Sequence, residues 1–262
     1  MQSNYIMRHK RIKLFFICLY LVTSSRMNAQ TVRQYTSNYN GWFVYNGNHK
    51  LSDKWGLHLE AQWRRYKIVL HNQQLLLRAG INYYVNPKVM LTAGYCFAET
   101  YPYGAFASKA AFPENRVWEQ LLLKDNIGMV EVINRLRFEQ RFINSPVLQS
   151  GEYEPGEAVY TNRVRIYEGF SIPFKGKTIE DHSLYVAAFD EVYINFGKNV
   201  AFNIMDQNRA YLGIGYKIPK AGRLQIGYLN QLIFRGDGIK VEQNHTLHLS
   251  LSSNIEFRRK KE

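Results

Sequence analysis

The sequence predicts an all-β chain: a transmembrane antiparallel up-and-down β-barrel of about twelve strands, with ten also compatible. Three observations predict it. From residue 41 onward, apolar and polar residues alternate with a period of two, the mark of a strand with one apolar face. The links between these segments are short and long in turn, the asymmetry of a barrel with tight turns at one end and loops at the other. The segments are also long enough to match the roughly 9–11 residues of a tilted strand crossing a bilayer.

Ahead of the barrel, Arg8, Lys10, Arg11 and Lys13 precede the apolar run Leu14 to Val22, and a polar stretch ends in Asn28-Ala29-Gln30. A charged start, roughly 7–15 apolar residues and a small residue before the cut describe a secretory signal. Cleavage is expected after Ala29, leaving residues 30–262 as a single barrel domain behind a signal peptide at 1–29. The apolar run is shorter than the about 20 residues of a spanning helix, which argues against a retained anchor. Cys18 is followed by Leu19-Tyr20, not by the small residues of a lipoprotein signal. Removing the segment takes away five positive charges and no negative ones, so +13 becomes +8. The basic residues that remain are spread out and often sit beside Glu or Asp, so no nucleic-acid partner is expected. Cys96 is then the one cysteine left, which precludes an internal disulfide.

The elements follow in order. Val32 to Asn38 reads as a short strand that turns back through Asn40-Gly41, a hairpin signal. Strands are then expected near 41–50 and 55–66, where Trp55, Leu57, Leu59, Ala61 and Trp63 alternate with His58, Glu60, Gln62 and Arg64. Those near 73–85 and 89–99 set Leu75, Leu77, Ile81, Leu91, Ala93 and Tyr95 against Arg78, Gly80, Asn82, Thr92, Gly94 and Cys96. After 115–124 comes 129–142, where Val132, Leu136, Phe138 and Phe142 alternate with Glu131, Arg135, Arg137, Glu139 and Arg141. Alone, that stretch also fits a helix with Arg135 and Glu139 paired four apart, but the strict alternation of its neighbours makes it a strand. The series closes with 160–172, 183–195, 207–218, 223–233 and 243–253. All seven prolines fall between strands or at their ends, as the hydrogen-bond ladder requires.

Size decides which face looks out. About eight strands already enclose as much as side chains fill, so a larger closed sheet with an apolar interior would hold a void. The apolar face is therefore expected toward lipid, and the face rich in Arg, Glu, Gln, Asn, Tyr and Gly toward the interior. Aromatics near strand ends (Trp42, Trp55, Trp63, Tyr66, Phe97, Trp118, Phe142, Phe170 and Phe257) read as interfacial girdles.

Six stretches carry a family resemblance: RLRFEQRF (Arg135 to Phe142), NRVRIYEGFSIPF (Asn162 to Phe174), AFDEVYINF (Ala188 to Phe196), DQNRAYLGIGYKI (Asp206 to Ile218), GYLNQ (Gly227 to Gln231) and NHTLHLSL (Asn244 to Leu251). Together they resemble the uncharacterised barrel-forming family known as domain of unknown function 2490, over nearly all of the chain after the signal. The resemblance implies an exported outer-membrane barrel of Gram-negative bacteria and implies no activity. The chain departs from the usual barrel ending, since Phe257 is followed by Arg258-Arg259-Lys260-Lys261-Glu262.

The candidate site is the inward charged row Arg135, Arg137, Glu139 and Arg141, with Arg163 and Arg165 on the next strand and Glu191 and Arg209 beyond. Facing arginines repel unless carboxylates interleave, so Glu139, Glu191 and Glu131 are the expected partners, with Glu168 and Asp190 near them in sequence. Such a network reads first as a salt-bridge plug that closes the interior, and second as the anion-attracting constriction of a narrow diffusion channel, porin-like. A lipid-modifying enzyme or a soluble periplasmic lipid-binding barrel are further alternatives. Catalysis has little to stand on: His182 and Ser183 point to opposite faces of a strand, and Asn244-His245 near Ser250 lacks a matching serine motif. His245 and His248 likewise point apart, so no metal site is expected, and no cofactor. Expected partners are outer-membrane lipid and the barrel-insertion machinery, with any small-solute ligand left open.

Overall fold

The computed structural model describes residues 32–257. The expected signal segment 1–29, with Cys18 and its cut site, and the basic tail 258–262 lie outside the described residues. Among those described there are thirteen strands and no helix. They are β1 (Gln34–Lys50), β2 (Trp55–Tyr66), β3 (His71–Asn86), β4 (Val89–Thr100), β5 (Phe112–Ile127), β6 (Val130–Ile143), β7 (Pro146–Gln149), β8 (Glu152–Pro155), β9 (Val159–Pro173), β10 (Leu184–Phe196), β11 (Met205–Ile218), β12 (Gly222–Phe234) and β13 (Lys240–Ser253).

Eleven of them close into a barrel in the order β1-β13-β12-β11-β10-β9-β6-β5-β4-β3-β2. Sequential neighbours pair antiparallel, while β1 and β13 pair parallel from Gln34↔Lys240 to Gly47↔Ser253. An up-and-down chain with an odd number of strands brings its first and last strands together in the same direction, so the sheet is mixed at this one seam. Eleven replaces the expected twelve because the N-terminal hairpin does not form: β1 runs straight through Asn40-Gly41. Gly41 serves a close approach instead, since a Cβ there would lie 2.2 Å from the carbonyl oxygen of Ile68 in the β2–β3 turn. Asn40 is fully buried. The pair β7–β8 is a small separate hairpin within the 144–158 link, unmarked by apolar alternation because all but one of its side chains are exposed.

One rim carries the links 51–54, 87–88, 128–129, 174–183 and 219–221, and the opposite rim carries 67–70, 101–111, 144–158, 197–204 and 235–239. We call them the turn rim and the loop rim. Gly128, at φ 62°, makes the two-residue β5–β6 turn possible. β1 begins at the loop rim and β13 ends at the turn rim.

The apolar half of each alternation points outward: Leu77, Ile81, Leu91, Leu136, Ile166, Leu212, Ile226 and Leu247 are all exposed. Inside, polar and charged side chains predominate, with two small apolar clusters. One gathers Leu76, Cys96, Ala98 and Trp118. The other gathers Trp42, Tyr185, Ala187, Tyr211 and Leu229 with Ile179, which the long 174–183 link sends in from the turn rim. The aromatic expectation divides accordingly. Trp55 and Trp63 are exposed on the outer face, whereas Trp42 and Trp118 are buried inside, where each lies against arginines.

Candidate functional site

The inner face of β6 presents Arg135, Arg137, Glu139 and Arg141 because a strand turns every second side chain the same way. Its neighbour β9 sets Arg163 opposite Glu139 and Arg165 opposite Arg137. Two arginines side by side would repel, so each is offset by its own carboxylates, Arg165 by Glu139 and Glu191 and Arg137 by Glu60. Glu139, with no exposed surface, accepts from Arg163 at 2.6 Å, from Arg165 at 2.9 Å and from Arg78 at 3.4 Å. Glu191 on β10 accepts from Arg165 at 2.8 Å, Arg135 at 2.6 Å and the Tyr193 hydroxyl at 2.8 Å. Glu60 on β2 takes Arg78 and has Arg137 at 4.0 Å. Arg137 also donates to Gln120 at 2.7 Å and lies 4.6 Å from the Trp118 ring.

Toward the loop rim, Glu114 on β5 accepts from Arg116 at 2.7 Å and from Arg141 at 2.5 Å. Asp206, at the start of β11, takes Arg163 at 2.7 Å and has Arg141 at 4.0 Å. Each charge-assisted bond of this kind is strong only because its partners are withdrawn from water, and each would be costly to leave unmade.

All eight side chains of the candidate row lie on the inner face, and seven of them join one ion-pair network. Arg209 does not. It donates to Gln207 at 2.9 Å and lies against the rings of Trp42 at 4.9 Å and Tyr193 at 4.6 Å. The expected partner Glu131 is also elsewhere, bonded to Arg223 at 2.6 Å near the turn rim. Glu168 and Asp190 face outward on adjacent strands, and Asp190 bonds Asn208 at 3.0 Å. Glu60, Arg64, Arg78, Glu114, Arg116 and Asp206 were not among the candidates. Alternation puts Glu60, Arg64 and Arg78 on the polar face, but the links that tie them into the network, such as Glu139 to Arg78 and Arg163 to Asp206, join strands distant in sequence and leave no local signal.

The nine inward arginines named here, Arg64 included, face five inward carboxylates: Glu60, Glu114, Glu139, Glu191 and Asp206. Two further pairs, Arg223–Glu131 and Arg235–Glu242, balance themselves near the rims. At the loop rim the 101–111 link folds inward. Its Tyr103 hydroxyl donates to Glu242, and burial, with the charge of that acceptor, pushes the phenol up from its usual value.

Above the network, on the loop side, is a cavity of about 390 Å³. Arg163 and Arg165 border it on the network side, Arg64, Arg116 and Arg209 line its walls, and Tyr103 and Arg235 line it from the loop rim. Cys96 is buried on the inner face. Among the described residues no group of three His, Cys, Asp or Glu is arranged to hold a metal ion. His245 faces outward against Tyr39 and Tyr228, while Ser250 and His248 face inward, so neither a His245–Ser250 dyad nor a His245–His248 pair is formed.

No solved structure matches this chain. It is similar to an uncharacterised protein of Methylorubrum extorquens, 26% identical over 252 residues that cover 94% of this chain and 98% of the relative. A family model described as protein of unknown function (DUF2490) matches residues 39–242, which hold most of the barrel and the whole ion-pair network. The chain belongs to the DUF2490 family.

Proposed function

We propose that this protein is an outer-membrane β-barrel, exported behind a cleaved signal and inserted by the barrel-assembly machinery, whose interior is closed by its arginine–carboxylate network. The single observation that carries this reading is the burial at mid-barrel: Arg137 and Glu139 keep 1% and 0% of their surface, which supports a closed interior. The outward leucines and isoleucines support the membrane. Soluble proteins rarely expose a contiguous apolar patch beyond a few hundred Å², and here the apolar side chains encircle the barrel. Ile179 and its cluster narrow the turn-rim side further.

Two measurements test the reading. The protein should sediment with outer membranes and migrate faster on a denaturing gel before boiling than after. In planar bilayers it should give no steady conductance; recovery in the soluble periplasmic fraction would refute the membrane assignment. A second reading, a narrow anion-preferring channel, is favoured by the excess of arginines over carboxylates. It requires currents that shift toward cations when Arg135, Arg137 and Arg141 become Gln.

A further inference from the structure

The interior charge does not close. Nine arginines meet five carboxylates, leaving four positive charges without a fixed counter-charge inside a largely desolvated barrel. Burying unmatched charge is costly, so the excess calls for anions from outside the chain. Its place is visible. Arg64 and Arg209 have no carboxylate within 4 Å among the described residues, although both are more than nine-tenths buried. Arg64 is held by Gln74 at 2.7 Å and by Gln62, and Arg209 by Gln207 at 2.9 Å. Both guanidinium carbons lie within 5 Å of one ring, that of Trp42, at 3.9 and 4.9 Å. The Arg209 Nε has no hydrogen-bond partner.

A ring face and neutral amides steady a guanidinium without spending its charge on a carboxylate. Both arginines line the loop-side cavity, and its volume falls within the range of small-molecule sites, roughly 300–1,000 Å³. The guanidinium fork matches planar or tetrahedral oxyanions, which it grips by two parallel bonds. We propose that the cavity is a receptor for a soluble small polyanion bearing phosphate or carboxylate groups, gripped by Arg64 and Arg209 over Trp42. The ion-pair network is the floor of this site, which makes it a blind pocket open at the loop rim. The site rests on the closed-barrel reading only for that blindness.

The test is calorimetric titration of the full chain, folded in detergent, with sodium pyrophosphate and with citrate, against sodium chloride of equal ionic strength. One saturable site is expected, with quenching or enhancement of tryptophan fluorescence because both arginines lie against the Trp42 ring. R64Q/R209Q should bind at least tenfold more weakly, while R65Q, which removes an exposed arginine bonded to loop carbonyls, should change binding less than twofold. R209K keeps the charge and loses the fork; it too should bind several-fold more weakly, and it serves if the double variant does not fold. Heats no larger than those of chloride, or unchanged affinity in R64Q/R209Q or in a folded R209K, overturn the proposal. Competition by detergent-dispersed phosphatidic acid would assign the site to a lipid headgroup and overturn the soluble ligand. Calorimetry reads the cavity whether or not the barrel conducts, so a failure here and a failure in planar bilayers are separable.

Discussion

Replacing Glu139 by alanine removes the one carboxylate that three arginines share. Breaking a buried ion pair by deleting one partner costs about 3–5 kcal/mol, because the other charge stays buried and uncompensated. Here each arginine keeps a second acceptor: Arg163 has Asp206 at 2.7 Å, Arg165 has Glu191 at 2.8 Å, and Arg78 has Glu60. That places Glu139→Ala at the low end, about 3 kcal/mol, or roughly a hundredfold in the folding equilibrium. The comparison is Lys88→Ala, which breaks an equally close pair, Lys88–Asp125 at 2.7 Å, whose side chains are 65% and 53% exposed. An exposed pair contributes about 0–1 kcal/mol. Guanidinium titrations of detergent-folded protein, followed by tryptophan fluorescence, would measure both, since Trp118 lies beside Arg78 and Arg137. Equal losses for the two variants would refute the argument. They would mean that the network is hydrated, and with that the closed interior would fall.

Three further outcomes are expected. Leu212→Arg, on the outward face midway along β11 and 60% exposed, should cost about 2–4 kcal/mol for a barrel in lipid. Refolding into vesicles measures it, and an unchanged stability there would count against the membrane. Gly41→Ala drives a methyl group against the Ile68 carbonyl and should cost about 1–3 kcal/mol, read as a lower unfolding midpoint. Tyr103→Phe should loosen the 101–111 link, seen as faster proteolytic nicking there. Because the folded-state pKa of Tyr103 is raised, its contribution is complete below the ordinary tyrosine value near 10 and lost as pH rises through the folded value. The wild-type link should therefore become protease-sensitive only in strong alkali.

Much of the barrel was legible because its period is two. A strand with an apolar outer face and a charged inner one writes both faces into adjacent residues, as Phe138 and Glu139 do. Partnership across the interior is written nowhere. Glu60 meets Arg78 on the next strand, but Glu139 reaches Arg78 across a separation of 61 residues, a distance at which sequence carries no geometric signal. Trp42 and Trp118 were misread as girdle residues because an aromatic ring satisfies a membrane interface and a buried guanidinium equally well. Asn40-Gly41 was misread for a related reason: glycine marks a turn and a close backbone contact alike. The β7–β8 hairpin left no pattern because its strands of four residues bury no face.

The odd strand count has a consequence for topology mapping. In a membrane-spanning barrel, Gln34 at the start of β1 and Ser253 at the end of β13 lie at opposite rims, so a label at each should report opposite sides. It also shapes biogenesis. Every other ladder is joined by a link that helps set its register, whereas the seam must bring together partners such as Asn38 and Asn244, 206 residues apart. The parallel zipper between β1 and β13 therefore forms only when the last strand has been delivered, which makes it the natural final step of assembly.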